Sequence, residues 1–229
     1  MRSHPSNVVR FTPLSQQAAP LRNKILAALR SAIETGALAP GTRLVEKDLC
    51  EQLEVSRTVL RESLRELEAE GILEHNSGRS LTVAAISREE AENVYRIRAV
   101  LEALIVQQFI EKASESELRQ LQADAETLKA AYRSGELQAM LKAKRDFYDR
   151  ICAGAENTVA FDIINRLVLR TSSLRAWSMM KSERQAQSVI EITTLVEAIT
   201  RRDVAAARAA AMTHVGNSAR SSLGITVFL

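Results

Sequence analysis

"VSRTVLRESLRELEAEG", residues 55–71, decides the fold. Leu60, Leu64 and Leu67 recur at helical spacing and make one apolar stripe, while Arg57, Arg61 and Arg65 stand four apart along its edge. Glu62, Glu66 and Glu70 take much of the remaining circumference, and Gly71 ends the run. Ser56 is placed to cap the helix through its hydroxyl. A row of cations beside a buried stripe faces water, an acidic partner or a regular array of negative charge. Interleaved Arg and Glu are also the ordinary composition of a solvated helix face with i,i+4 pairs.

The flanking sequence narrows the choice. Upstream, "PLRNKILAALRSAIETGAL" repeats Leu21, Ile25, Leu29 and Ile33 as a helix, closed by Gly36 and the turn "APGT". "VEKDLCEQL" predicts a second helix with Leu49, Cys50 and Leu53 inward, and only "EV" separates it from the third. Downstream, "ILEHNSGRSLTV" reads as two short strands around a turn at Asn76–Gly78. Helix, helix, tight turn, helix, hairpin is the order of a winged helix-turn-helix, whose third helix fits a DNA major groove. There an Arg fork can bond both guanine acceptors, and Arg57 and Arg61 lie nearest the helix start, where such contacts concentrate. Ser56 and Thr58 are short hydroxyl donors suited to phosphate, Gly78 at the hairpin tip permits close backbone approach, and Arg79 beside it can reach a minor groove. Residues 20–86 hold nine Lys and Arg against ten Asp and Glu, so attraction to a polyanion must come from placement, not net charge.

At 229 residues the chain is long enough for two modest domains. It is 46% hydrophobic with 4% aromatic residues and eight glycines, a balance that favours helices. Cys50 and Cys152 lack metal-ligand spacing and read as reduced thiols of a cytoplasmic protein. No apolar run is long enough to span a bilayer, and no signal peptide is visible. Residues 1–19, polar and proline-containing, read as a flexible arm.

"GALAPGTRLVEKDLCEQLEVSRTVLRESLRELEAEGILEHNSGRSLTV" resembles the N-terminal domain of the GntR superfamily of bacterial transcription regulators, through "G-x-L-x-P-G-x-x-L", "V-S-R-T-x-x-R-E-x-L" and "L-E-x-E-G". The resemblance implies base reading by Arg57 and Arg61, with Ser56, Thr58, Arg43 and the wing at Gly78 and Arg79 assisting. It also implies DNA contact by Lys47, where the family often has arginine. Glu54 departs from the glycine common before "VSR", which predicts a strained or reshaped turn.

Residues 87–229 carry no strand pattern before the final "GITVFL". "SREE" and "SESE" are capping boxes, and helices are expected from 87 through 113 and at 114–133, 136–153, 157–178, 183–201 and 203–220, with Asp203 capping the last. The fold class is therefore mainly α: a winged helix-turn-helix over 20–86 and an all-α antiparallel bundle over 87–229. The bundle resembles the FCD effector-binding and dimerisation domain of the FadR subfamily, through "VYRIRAVLEALIVQQFI" with Arg98 and Glu102, "ICAGAENTVAFDIINRL", and "IEITTLVEAITRRDVAAARAAAMTHV".

Many FCD domains hold a divalent metal with one Asp and three His. Here "KRDFY" puts Lys144 and Tyr148 at the first two of those positions, Glu191–Ile192 replaces the next, and only His214 matches. One imidazole is too few for zinc, so no metal and no cofactor are expected. An ammonium and a phenol one turn apart can instead anchor an anionic effector such as a carboxylate, helped by Arg98 or Arg175. Lys144 can equally snorkel to solvent beside a filled core, and His214 can be a hydrogen-bonded core histidine. The resemblance further implies a homodimer on an inverted-repeat DNA operator, probing for a small-molecule effector, most simply as a repressor at the nucleoid. An effector-independent DNA binder is the alternative. Enzymes are disfavoured because no nucleophile elbow, P-loop or paired-carboxylate passage occurs.

Overall fold

A computed structural model describes residues 19–76, 78 and 80–224; the arm at 1–18, Arg79 and the last five residues of "GITVFL" lie outside the described residues. Helices α1 (Ala19–Glu34), α2 (Glu46–Leu53) and α3 (Arg57–Ala69) precede strands β1 (Leu73–His75) and β2 (Leu81–Val83). The strands pair antiparallel with Leu73 opposite Val83 and His75 opposite Leu81. Arg43 bridges to Thr82 and Leu44 N–H donates to the Leu81 carbonyl at 2.9 Å, so the "GTRL" turn adds a third rung. Asn76 Oδ1 accepts from the Gly78 and Ser80 amides, each at 3.0 Å, and shapes the hairpin tip.

The head's core joins Ile25, Leu29 and Ile33 of α1 to Leu60, Leu64 and Leu67 of α3 and to Leu73 and Val83 of the wing. The expected α1 stripe needs one correction. Leu21 is 43% exposed and Leu26 is buried in its stead, so the buried stripe of α1 is Ile25, Leu26, Leu29 and Ile33. Leu49, Cys50 and Leu53 of α2 pack on this core but remain only partly buried. Glu54 adopts φ 54°, ψ 43°, the left-handed region expected where relatives favour glycine. That conformation costs a non-glycine residue about 1–2 kcal/mol, and the apolar contacts of Leu53 and Val55 hold the turn together.

Seven helices follow: α4 (Arg88–Lys112), α5 (Glu115–Ser134), α6 (Leu137–Ala155), α7 (Thr158–Arg170), α8 (Ser172–Met179), α9 (Ser182–Thr200) and α10 (Val204–Leu223). Helix α4 packs on α10, α6 and α7, while α5 closes the bundle against α6 and α9. Ser114 and Glu117 form a full capping box, whereas at "SREE" only the Ser87 side of the box is made. Asp203 caps α10 by accepting from the Ala206 amide at 3.0 Å. The single helix expected over 157–178 is two. The run breaks at Thr171, which takes a non-helical φ of −103° and ψ of 13° while its hydroxyl donates back to the Leu167 and Val168 carbonyls.

That break matters for the joint between head and bundle. It turns Leu169 of α7 into the head's core, where it is 5% exposed. Arg170 pairs with Glu90, and Arg145 of α6 pairs with Glu34 at the end of α1.

Candidate functional site

The solvent edge of α3 presents Ser56, Arg57, Thr58, Arg61 and Arg65, all exposed. Ser56 has N-cap backbone angles, but its hydroxyl caps nothing, contrary to the sequence expectation, and stays free to bond outward. Arg61 Nε lies 2.8 and 3.0 Å from the two carboxylate oxygens of Glu46 on α2, so one of the two leading arginines is held in an exposed ion pair. Arg57 makes no ion pair among the described residues. Lys47, Arg43 and Gly78 are also exposed, Lys47 only loosely met by Glu51 at 3.9 Å. Behind the face, Glu66 and Glu70 are not idle surface: Arg22 pairs with Glu66, and Arg30 reaches Glu70 with two contacts of 2.8 Å, tying α1 to α3.

The centre of the bundle is polar. Arg98 and Glu102 of α4 form a buried ion pair at 2.7 Å, with the guanidinium 5.3 Å above the Tyr95 ring. On α9, Arg184 donates to Glu191 at 2.8 Å and to the Ser218 hydroxyl at 3.0 Å. His214 of α10 places Nδ1 2.6 Å from Glu191, and Asn217 donates to the other carboxylate oxygen at 2.7 Å. The remaining ring nitrogen, Nε2, lies 3.0 Å from Lys144 Nζ. Lys144 is therefore buried, not snorkelled, because α6 points it at the bundle axis.

Burial would raise the Glu191 carboxyl, but the His214 and Arg184 contacts hold it down at about 2. Burial, reinforced by the charge of Lys144, presses His214 down to about 4, so its imidazole is neutral and donates Nδ1–H to Glu191. Burial also drives Lys144 well below the usual lysine range, and Arg175, Arg184 and Arg98 push it the same way. Tyr148 is pushed well up by burial and by the nearby Glu102 charge. Three guanidiniums, of Arg98, Arg175 and Arg184, and the Lys144 amine thus face two carboxylates, Glu102 and Glu191. Buried atoms of Arg98, Glu102, Tyr132, Tyr148 and Arg184 find no hydrogen-bond partner among the described residues.

A cavity of about 450 Å³ opens from this centre toward the head. Arg98, Glu102, Lys144, Tyr148 and Arg175 form its polar end; Leu141, Phe161, Ile164, Val168 and Leu169 form an apolar wall; Arg30, Glu34 and Glu70 of the head and Arg145 lie along its rim. Four of the five proposed effector residues, Arg98, Lys144, Tyr148 and Arg175, converge here; His214 stands behind Lys144 and does not line the cavity. The donor set does not fit a divalent metal. The ring nitrogen that would ligate is taken by Lys144, and a lysine surrounded by arginines repels a second cation.

Residues 21–83 match the bacterial regulatory proteins of the gntR family, and residues 93–217 match the FCD domain. The chain belongs to the GntR family and carries an FCD domain. Among its relatives in this family, it is 30% identical to the Nta operon transcriptional regulator of Aminobacter aminovorans over 160 residues, covering 69% of this chain and 74% of that one. It is 30% identical to the regulator McbR of Escherichia coli over 142 residues, 62% of this chain and 64% of McbR. A weaker likeness, 26% over 230 residues, spans 89% of this chain and 97% of the galactonate operon transcriptional repressor of E. coli. The matched segment spans less than two thirds of McbR and 58% of the Bacillus subtilis regulator YdhC. The solved structure of E. coli McbR shares the fold with a TM-score of 0.78 at 24% identity, covering 86% of this chain and 94% of that one. A putative GntR regulator from Rhodococcus sp. RHA1 shares it with 0.74 at 19% identity, covering 89% and 97%.

Within the GntR frame, sequence reading missed Arg184, Tyr132 and Glu34 as parts of the site. Arg184 and Glu191 are seven apart on one helix, a spacing that puts them on one face. Nothing comparable marks Glu34, whose partner lies 111 residues away.

Proposed function

We propose that this GntR-family protein is a sequence-specific DNA-binding transcriptional regulator, acting in the cytoplasm, whose grip on its operator is set by a small organic anion held without metal in the FCD cavity. The observation that carries the reading is the pairing of two features on one chain. An exposed helix edge with Ser56, Arg57 and Thr58 at its start lies beside a wing, and the polar end of a cavity elsewhere sets Arg98, Lys144 and Arg175 against one carboxylate, Glu102.

In this reading α3 enters the major groove with Arg57 reading a base edge, while Ser56, Thr58, Lys47 and Arg43 contact phosphates. One such helix reads only a few base pairs, so two copies act on an inverted repeat. Exposed Ile97 and Val100 on α4 and Val159 and Ile163 on the adjoining α7 supply an apolar patch for the second copy. Inside the bundle, Arg98, Lys144 and Arg175 receive the anion, with the Tyr148 hydroxyl as a neutral donor. Repression is the sign that the galactonate relative's name supports.

The test is selection from random duplexes with the purified protein, followed by titration of organic acids into the selected complex. Enrichment of an inverted repeat whose retention changes with an acid supports the reading. Absence of any enriched sequence refutes the DNA half, and enrichment indifferent to every acid refutes the effector half.

A further inference from the structure

The rim of the cavity is built partly by the DNA-binding head, and one of its residues has the chemistry of the ligand. Glu34 is the last residue of α1, its side chain only 13% exposed, and its carboxylate pairs with Arg145 on α6. It is also close enough to Arg175 to act on that guanidinium electrostatically. Both arginines line the cavity, and so does Glu34. A carboxylate at a helix C-terminus opposes the helix dipole, so Glu34 owes its position to those bundle cations and not to its own helix.

We infer that Glu34 is an internal surrogate ligand, and that the effector is an organic acid with a compact apolar body whose carboxylate displaces Glu34 from Arg145. The inference rests on the effector reading above and specifies its ligand and its coupling. The apolar body follows from the wall of Leu141, Phe161, Ile164, Val168 and Leu169, hydrocarbon that a polyhydroxylated chain would leave poorly covered, although Asp149, Asp162, Asn165 and Arg166 also line the cavity. The coupling follows from what α1 carries. Arg22 and Arg30 bind it to Glu66 and Glu70 of α3, and Ile25, Leu29 and Ile33 share a core with Leu60, Leu64 and Leu67. Release of Glu34 therefore removes the charged tie between α1 and α6 and leaves the Leu169 contact as the pivot, so α1 and the DNA-reading helix can shift as one unit and acid and operator affinities become reciprocally linked.

The experiment is calorimetric titration of the full-length protein with benzoate, phenylacetate, 3-methylbutanoate and gluconate, for wild type, Glu34→Gln and Arg145→Gln. Glu34→Gln keeps the shape and removes the competitor, so the apolar acids should bind about 5- to 30-fold tighter, within the usual range of coupled sites. Arg145→Gln should bind them more weakly, and a general loosening of the fold would move both variants in the same direction. On the duplex selected by wild type, Glu34→Gln without acid should match wild type saturated with acid. Equal or weaker acid binding by Glu34→Gln overturns the surrogate while leaving the effector reading intact. Gluconate binding as tightly as benzoate overturns the ligand class. Failure of every acid to bind any of the three proteins overturns the effector reading and this inference with it.

Discussion

Lys144 Nζ lies 3.0 Å from Nε2 of His214, on the side of the ring away from Glu191. The lysine meets an imidazole, and among the described residues no carboxylate bonds it directly. A buried group with that environment is poorly accommodated in the absence of a ligand, a common cost of function.

Lys144→Met follows from this. The thioether fills similar volume and removes an uncompensated buried amine, at the expense of one hydrogen bond to His214. The net gain should be about 1–2 kcal/mol, which for a chain of this size is a rise in Tm of roughly 2–8 °C. Calorimetric affinity for organic acids should fall at the same time. Scanning calorimetry showing a lower Tm would mean the lysine stabilises the bundle as it stands.

Stability should decline on the acid side in two stages. The unfolded chain takes up the histidine proton near the model-peptide value of 6.5, whereas native His214 resists until about 4, so stability falls as pH drops through that window. Glu191 then adds to the loss between about 4.5 and 2, where the unfolded carboxyl is protonated and the native one is not. Urea unfolding at half-unit pH steps measures both stages. His214→Gln should flatten the upper one and narrow the lower one, because the His214 contact helps hold Glu191 down and only Arg184 would remain to do so.

Arg57→Ala should lower discrimination between the selected operator and a scrambled duplex by about 5- to 150-fold, equivalent to the 1–3 kcal/mol of a bidentate arginine–guanine pair. The dimer should survive, since Arg57 is far in sequence from the α4 and α7 patch. Arg61→Ala should cost less, because Glu46 already engages that guanidinium. Gel retardation across a salt series, with light scattering for mass, checks all three statements, and equal losses at 57 and 61 would remove the distinction.

Gly154→Ala probes packing alone. A Cβ there would sit 2.5 Å from Phe109 Cε2 and 2.6 Å from Cδ2, and Phe109 is fully buried and cannot swing aside. Overpacking of that kind costs about 1–3 kcal/mol, outweighing the helix preference for alanine of under about 1 kcal/mol. Tm should drop while the selected operator sequence stays the same.

Much of the head was legible because its information is local. The leucine row of residues 60–67, the Asn76–Gly78 turn and the departure at Glu54 are each set by neighbours within a few positions, and the structure has a stripe, a hairpin and a left-handed residue there. The bundle's helices were legible for the same reason, except at the break at Thr171, which no local residue pattern marks. The polar centre was half legible. Resemblance pointed to Lys144, Tyr148 and His214, yet it left open whether the lysine turned inward, since a flexible stem obeys tertiary packing and not periodicity. Arg184 carried a weak signal in its seven-residue spacing from Glu191, whereas Glu34 was invisible because its partner lies 111 residues away.

Leu169 gives the joint between the two halves a practical meaning. A bundle helix lends one of its own leucines to the oily centre of the head, so the two halves cannot be exchanged between relatives at the sequence boundary without leaving a hole on one side and bare hydrocarbon on the other. Chimeras built to transplant a new sensor onto this reader should carry the α7 tip with the reader, or match its volume from the new sensor.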